Sequence, residues 1–219
     1  MVELGMRWSS ADQHSILHRR ALTGHGSGRP WIWILVLLAL LCLWLAAGTV
    51  FSPGAAADQR DKRLPDLFTQ LQGAKSPSEA HVIESVIWAI WAETGDKDLD
   101  HLLGEGATAM SAQDYTTALS DFDELTKRAP QFAEGWNKRA TVLYLMGDLQ
   151  ASLSDIDRVL KLEPRHFGAL SGLGLVNIGL EREEAARDAF QQVLKIDPMN
   201  PGAKANLKAI QDEIDKKSI

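Results

Sequence analysis

Cysteine is almost missing from the sequence. Of 219 residues one is cysteine, Cys42, and it stands inside a hydrophobic run. Beyond that run there is no thiol at all, which excludes a disulfide framework and a thiolate metal site. Leu40 and Leu41, rather than a small residue, precede Cys42, so it does not read as a lipid-attachment cysteine. Positive charge is also scarce. From Asp58 onward 19 Lys and Arg face 27 Asp and Glu, a net charge of about −8. Such a surface repels phosphate backbones and argues against nucleic acid as a partner.

Catalytic patterns are absent too. The histidines after residue 58, His81, His101 and His166, are far apart and not at metal-ligand spacing, so each reads as a surface or inter-helix residue. Carboxylates gather at Asp121, Asp123 and Glu124, at Asp155 and Asp157, and at Glu181, Glu183 and Glu184, where a solvated helix face accounts for them. Gly168, Gly172 and Gly174 lack the spacing and the following Lys-Ser or Lys-Thr of a phosphate loop, and read as places of close helix contact. No catalytic residue, cofactor site or metal site is expected.

What is present begins with an uncharged run, Trp31 to Phe51, preceded by Arg19, Arg20 and Arg29. This is a membrane-directed segment with a basic flank. Ser52, Pro53 and Gly54 then break a helix, and Ala55, Ala56 and Ala57 offer small residues to a signal peptidase. Cleavage after Ala57 is the preferred reading. The alternative is a retained anchor, because 21 apolar residues at about 1.5 Å each span a bilayer. Either way the arginines stay on the cytoplasmic side and the rest of the chain crosses.

The remaining sequence is organised by Pro130, Pro164 and Pro198, each 34 residues from the next. Small residues stand 24 positions before each proline (Gly106, Ala140, Gly174) and 12 before it (Ala118, Ser152, Ala186). Bulky apolar residues stand 8 before (Phe122, Ile156, Phe190), 5 before (Leu125, Val159, Val193) and 28 before (Leu102, Trp136, Leu170). A 34-residue period with small residues at two fixed points suits a stacked helix-turn-helix unit, whose helices approach closely only where side chains are small. The proline ends the second helix. Turns within the pairs are expected near Gln113, Gly147 to Asp148, and Gly179 to Leu180.

With these residues in this register the sequence resembles the tetratricopeptide repeat family. The resemblance implies an all-α fold, a right-handed solenoid of helix pairs with a C-terminal capping helix, preceded by one N-terminal apolar signal or anchor helix. Residues 1–57 form the signal or anchor (apolar core 31–51) and 58–64 a linker. Residues 65–98 form a degenerate N-terminal repeat or cap, in which Trp88 and Trp91 fall where Phe122 and Leu125 fall one period later. Residues 99–132, 133–166 and 167–200 are the clear repeats, and 201–219 the capping helix. Ser76, Pro77 and Glu79 read as a helix start, as do Asn200 and Pro201.

The first helix of each repeat then lines a concave groove. Leu103, Met110, Asn137, Lys138, Thr141, Tyr144, Ser171, Leu175 and Ile178 are its candidate partner-binding residues. Apolar positions mixed with amide and hydroxyl groups suit an extended peptide or a partner helix. Family members that clamp a partner's terminal carboxylate use Lys, Arg and Asn; here those places hold Leu103, Ala107, Lys138, Gly168 and Gly172, of which Lys138 alone fits. The resemblance implies a non-enzymatic module in the periplasm of a Gram-negative bacterium, holding a protein or peptide in cell-envelope assembly or integrity. The alternative is a membrane-anchored repeat protein of an assembly complex such as cytochrome maturation, with inner-membrane contact only if the N-terminal helix is retained.

Overall fold

A computed structural model describes residues 60–217, and in them the chain folds as nine α-helices. The signal or anchor segment, with its proposed cleavage point, lies outside the described residues. Among the described residues no helix is long and apolar enough to cross a membrane.

The helices are α1 (Leu64–Gly73), α2 (Pro77–Ala92), α3 (Lys97–Ser111), α4 (Tyr115–Arg128), α5 (Ala133–Leu145), α6 (Leu149–Leu162), α7 (Phe167–Gly179), α8 (Glu183–Ile196) and α9 (Pro201–Lys217). Helices α3/α4, α5/α6 and α7/α8 are the three repeats, each packed as a pair, and α9 lies on α8. The fold is an all-α solenoid.

Within a pair the 34-residue pattern has a steric cause. Phe122 lies over Gly106, where an added Cβ would stand 2.6 Å from its ring, and Phe190 lies over Gly174 in the same way. In the middle repeat the large residue is the smaller Ile156, and the small one is Ala140, both in one core cluster. The two positions trade volume. Close packing leaves no other option, because an interior at crystal-like density has no room for both a Cβ and an aromatic ring.

Helix starts follow the chemistry of their first residues. Asp114 and Asp148 accept hydrogen bonds from the amides of Thr117 and Ala151, each at 3.1 Å, and Asn200 Oδ1 accepts from Ala203 N at 2.9 Å. Ser76 Oγ accepts from Glu79 N at 3.1 Å, while the Glu79 carboxylate takes the amide of Lys75 rather than that of Ser76. The turns keep the period more strictly than glycine does. Gln113, Gly147 and Glu181, spaced by 34, all have positive φ (61°, 84° and 59°). In the third repeat the turn falls at Leu180 and Glu181, one residue later than Gly179 to Leu180, and Gly179 is still helical.

The repeats are tied laterally through Arg139 on α5. Its guanidinium grips Asp155 with two bonds of 2.7 Å and Asp123 with one of 2.9 Å, and it lies 4.7 Å over the Trp136 ring. Asp155 thus departs from the solvated reading: it is buried and paired. Burial pushes its carboxyl up, and Arg139 opposes that.

Helices α1 and α2 carry the apolar faces expected of them, with Leu64, Phe68, Leu71, Ile83, Ile87, Ile90 and Trp91 buried. Their destination is the far end of the array. They share one core with Phe167 and Leu170 of α7, Phe190 and Val193 of α8, and Ala203 and Ile210 of α9. Helix α1 touches α8, and α2 touches α5. The pair thus packs against the turns at Pro164 and Pro198, which buries Trp91 and leaves Trp88 half-buried. Gln72 Nε2 donates to the Lys195 carbonyl at 2.8 Å, and Arg165 lies 4.2 Å over the Phe68 ring.

Candidate partner-binding groove

Helices α5 and α7, the first helices of the second and third repeats, lie side by side. Between them is a cavity of about 170 Å³. Asn137, Thr141 and Tyr144 line it from α5, Ser171, Gly172 and Leu175 from α7, and Ile156 forms part of its floor. The four- and three-residue steps along each helix put these side chains on one face, which explains why residues so separated in sequence meet.

The polar groups of the cavity are partly engaged. Thr141 Oγ1 donates to the Asn137 carbonyl at 2.9 Å and Ser171 Oγ to the Phe167 carbonyl at 2.8 Å, which leaves both hydroxyl oxygens able to accept. Asn137 Nδ2 donates to Glu134 Oε2 at 2.8 Å, so the amide is held in one orientation. Apolar surface stands beside these groups: Leu175 is 36% exposed and Ile178 41%. Ile178 belongs to an adjoining depression toward α9, bounded by Glu181, Glu183, Ile210 and Glu213.

The remaining candidates fall elsewhere. Leu103 is not in the groove; it is buried in the core of the first repeat with Leu99, Phe122 and Leu125, and Met110 packs half-buried against that core. The heptad-like step from Leu103 to Met110 is that of a core stripe as much as of a groove wall. Lys138 is tied to Glu134 at 3.0 Å and lies 5.9 Å over the Trp88 ring.

One feature of this end was invisible to local pattern. Trp88, from α2, sits over Gly168 so closely that an added Cβ would lie 2.8 Å from its Cζ2. Behind it, Glu134 is fully buried between Lys138 and His166, the latter at 3.2 Å. Burial pushes the Glu134 carboxyl up, but the hydrogen bond from His166 and the charge and bond of Lys138 outweigh it and leave the group below its ordinary range. His166 Nδ1 accepts the cap bond from Ala169 N at 3.1 Å, so its proton is on Nε2 and is donated to Glu134. Among the described residues no three His, Cys, Asp or Glu side chains are placed to hold a metal ion.

Two overlapping segments, residues 103–155 and 138–201, match the profile of the tetratricopeptide repeat. A TPR repeat-containing protein of Rhizobium etli is 31% identical over 121 residues, covering 55% of this chain and 59% of that protein. The match thus spans about three-fifths of the relative's length. Among solved structures, the TPR domain of Arabidopsis OM64 superposes with a TM-score of 0.52 at 19% identity, over 52% of this chain and 95% of that domain. The Sgt2 TPR domain of Aspergillus fumigatus gives 0.53 at 20%, over 56% and 83%. The first TPR domain of RPAP3, solved with the HSP90 peptide SRMEEVD, gives 0.52 at 20%, over 53% and 92%. At such identities the likeness is one of fold. The repeat-bearing part of this chain, residues 103–201, belongs to the tetratricopeptide repeat family.

Proposed function

We propose that the protein is a non-enzymatic binding module that holds a peptide or helix of a protein partner in the groove between α5 and α7. The observation that carries this is the 170 Å³ cavity, where exposed Leu175 adjoins Asn137, Thr141, Tyr144 and Ser171. Concave, largely apolar sites with a few fixed polar groups are what peptide ligands occupy. The peptide-bound RPAP3 domain, and the TPR2B domain of yeast Sti1 solved as a pHsp70 complex, have the same fold.

The mode differs from carboxylate clamping. Lys138 is already neutralised by Glu134, Leu103 is core, and Gly168 and Gly172 bring no charge. Recognition therefore rests on side chains within the partner segment rather than on its terminus.

In this reading the sequence around residues 31–57 exports the module to the periplasm, with cleavage after Ala57, for a role in cell-envelope assembly or integrity. Its competitor, a membrane-anchored member of an assembly complex, is favoured by the 21-residue length of the apolar run. The mass of the protein isolated from cells separates them, since an N-terminus at Asp58 excludes the anchor. The groove is tested by a photoreactive residue at Tyr144 and another at exposed Lys127 on α4. Capture of one protein from position 144 and not from 127 supports the reading, and the reverse overturns it.

A further inference from the structure

Three glycines interrupt α7 before its last residue, and two have a reason inside the chain. Gly174 receives Phe190, and Gly168 receives Trp88. Gly172 receives nothing. A Cβ there would meet a single atom, Ile156 Cδ1, at 3.5 Å, an ordinary contact. A glycine inside a helix costs about 1 kcal/mol relative to alanine, and no neighbour in the fold requires this one.

Gly168 and Gly172 are one turn apart and share a face of α7. Over Gly168 the chain inserts its own apolar ring from α2. Over Gly172 an equivalent place opens into the 170 Å³ cavity. A space of about 150 Å³ with apolar walls is enough for a benzene-sized guest. Leu175 and Ile156 supply apolar wall here, while Thr141 and Ser171 can accept from a backbone amide. Further along α7 the wall continues through exposed Ile178 to Glu181, Glu183 and Glu213, so the charged groups at that end are acidic. One of them, Glu213, has Lys216 at 3.7 Å on the surface.

We propose that the place over Gly172 is a side-chain pocket for a Leu, Ile or Val of a partner peptide, whose neighbouring Lys or Arg meets the acidic end of the groove at Glu181 and Glu213. This names the ligand of the proposed groove and rests on that reading. The peptide's aliphatic side chain stands to Gly172 as Trp88 stands to Gly168. Its basic residue lies within three positions, because Gly172 and Glu181 are nine residues apart, about 13 Å along the helix direction, a span that two or three extended residues at about 3.3 Å each cover together with the reach of a Lys or Arg side chain.

The test uses a random peptide display library selected on the full chain, followed by titration of the enriched peptides. Enriched peptides should pair an aliphatic residue with Lys or Arg within three positions. Gly172→Leu, which fills the pocket from inside, should weaken them at least tenfold while its melting temperature stays at or above that of the parent. Gly172→Ala, which narrows the pocket without filling it, should weaken them less and serves if the larger variant does not fold. Peptides that bind Gly172→Leu as tightly as the parent but lose affinity in Tyr144→Ala, or that lack the aliphatic and basic pair, overturn the pocket and leave the groove standing. Peptides indifferent to both variants, or no enrichment at all, overturn the groove reading itself.

Discussion

Trp91 lies flat on His166, their ring centroids 4.1 Å apart and their planes within 10° of parallel. The stack joins α2 to the start of α7 and closes the lid on the His166–Glu134 pair. It makes the N-terminal helices part of the repeat fold rather than an appendage to it.

Removing that contact should be expensive. Trp91 is 1% exposed, and truncating a buried Trp to Ala costs about 3–5 kcal/mol. Trp91→Ala should lower the urea midpoint by that equivalent. It should also admit water to the buried Glu134 carboxylate and its hydrogen bond from His166, so the loss should exceed that of Phe68→Ala, whose ring contacts Trp91 from the α1 side.

A second tie predicts a pH dependence. Glu84 of α2 faces the α8–α9 turn, where Asn200 Nδ2 donates to its Oε1 at 3.3 Å and Asp197 stands beside it. Burial first, and then the bond and charge of Asp197, push the Glu84 carboxyl up to about 7. His81 is its other titratable neighbour, at 3.8 Å and exposed. A carboxyl raised on folding favours the folded state fully below its unfolded value, near 4.5, and loses that contribution as pH rises through about 7. Glu134, lowered on folding, works in the opposite sense but below about 4.5. Thermal midpoints should therefore fall between pH 5 and pH 8, and Glu84→Gln should flatten that slope.

The turns carry stored strain. Gln113 and Glu181 hold φ near 60°, a region that costs most L-residues about 1 kcal/mol or more relative to glycine. Gln113→Gly and Glu181→Gly should each raise stability by about 0.5–1 kcal/mol in urea denaturation. Gly147→Ala, at φ 84°, should lower it by a similar amount.

Two glycines of α7 should answer alanine in opposite directions. Gly174→Ala drives a Cβ against the Phe190 ring and should cost about 1–3 kcal/mol. Gly172→Ala meets ordinary contact and should gain up to about 1 kcal/mol. Differential scanning calorimetry of the two variants reads this directly.

The repeats were legible because their spacing is steric. Phe over Gly and Ile beside Ala repeat at one register, and three prolines mark it. The place of α1 and α2 was not legible, because projecting the register assigns Trp88 and Trp91 a position in a period but not a neighbour. Their partners, Gly168 and His166, are long-range contacts that leave no local pattern. The same limit hid the Glu84 and Asp197 pair. The third turn lies one residue beyond its expected place, at Leu180 and Glu181, because Gly179 reads as a helix stop although the register points to Glu181. In the groove, Asn137, Thr141, Tyr144, Ser171 and Leu175 meet around one cavity, whereas Leu103 does not, since one helix face at the end of a stack can serve core or groove with the same spacing.

The most direct measurement is the dissociation constant of the shortest partner segment captured at Tyr144, compared between the parent protein and Leu175→Glu. Leu175 is 36% exposed and lines the cavity, so the substitution leaves the core intact while placing a charge in the groove. Binding should weaken at least tenfold with an unchanged melting temperature. Equal affinity in the two proteins would contradict a partner seated between α5 and α7.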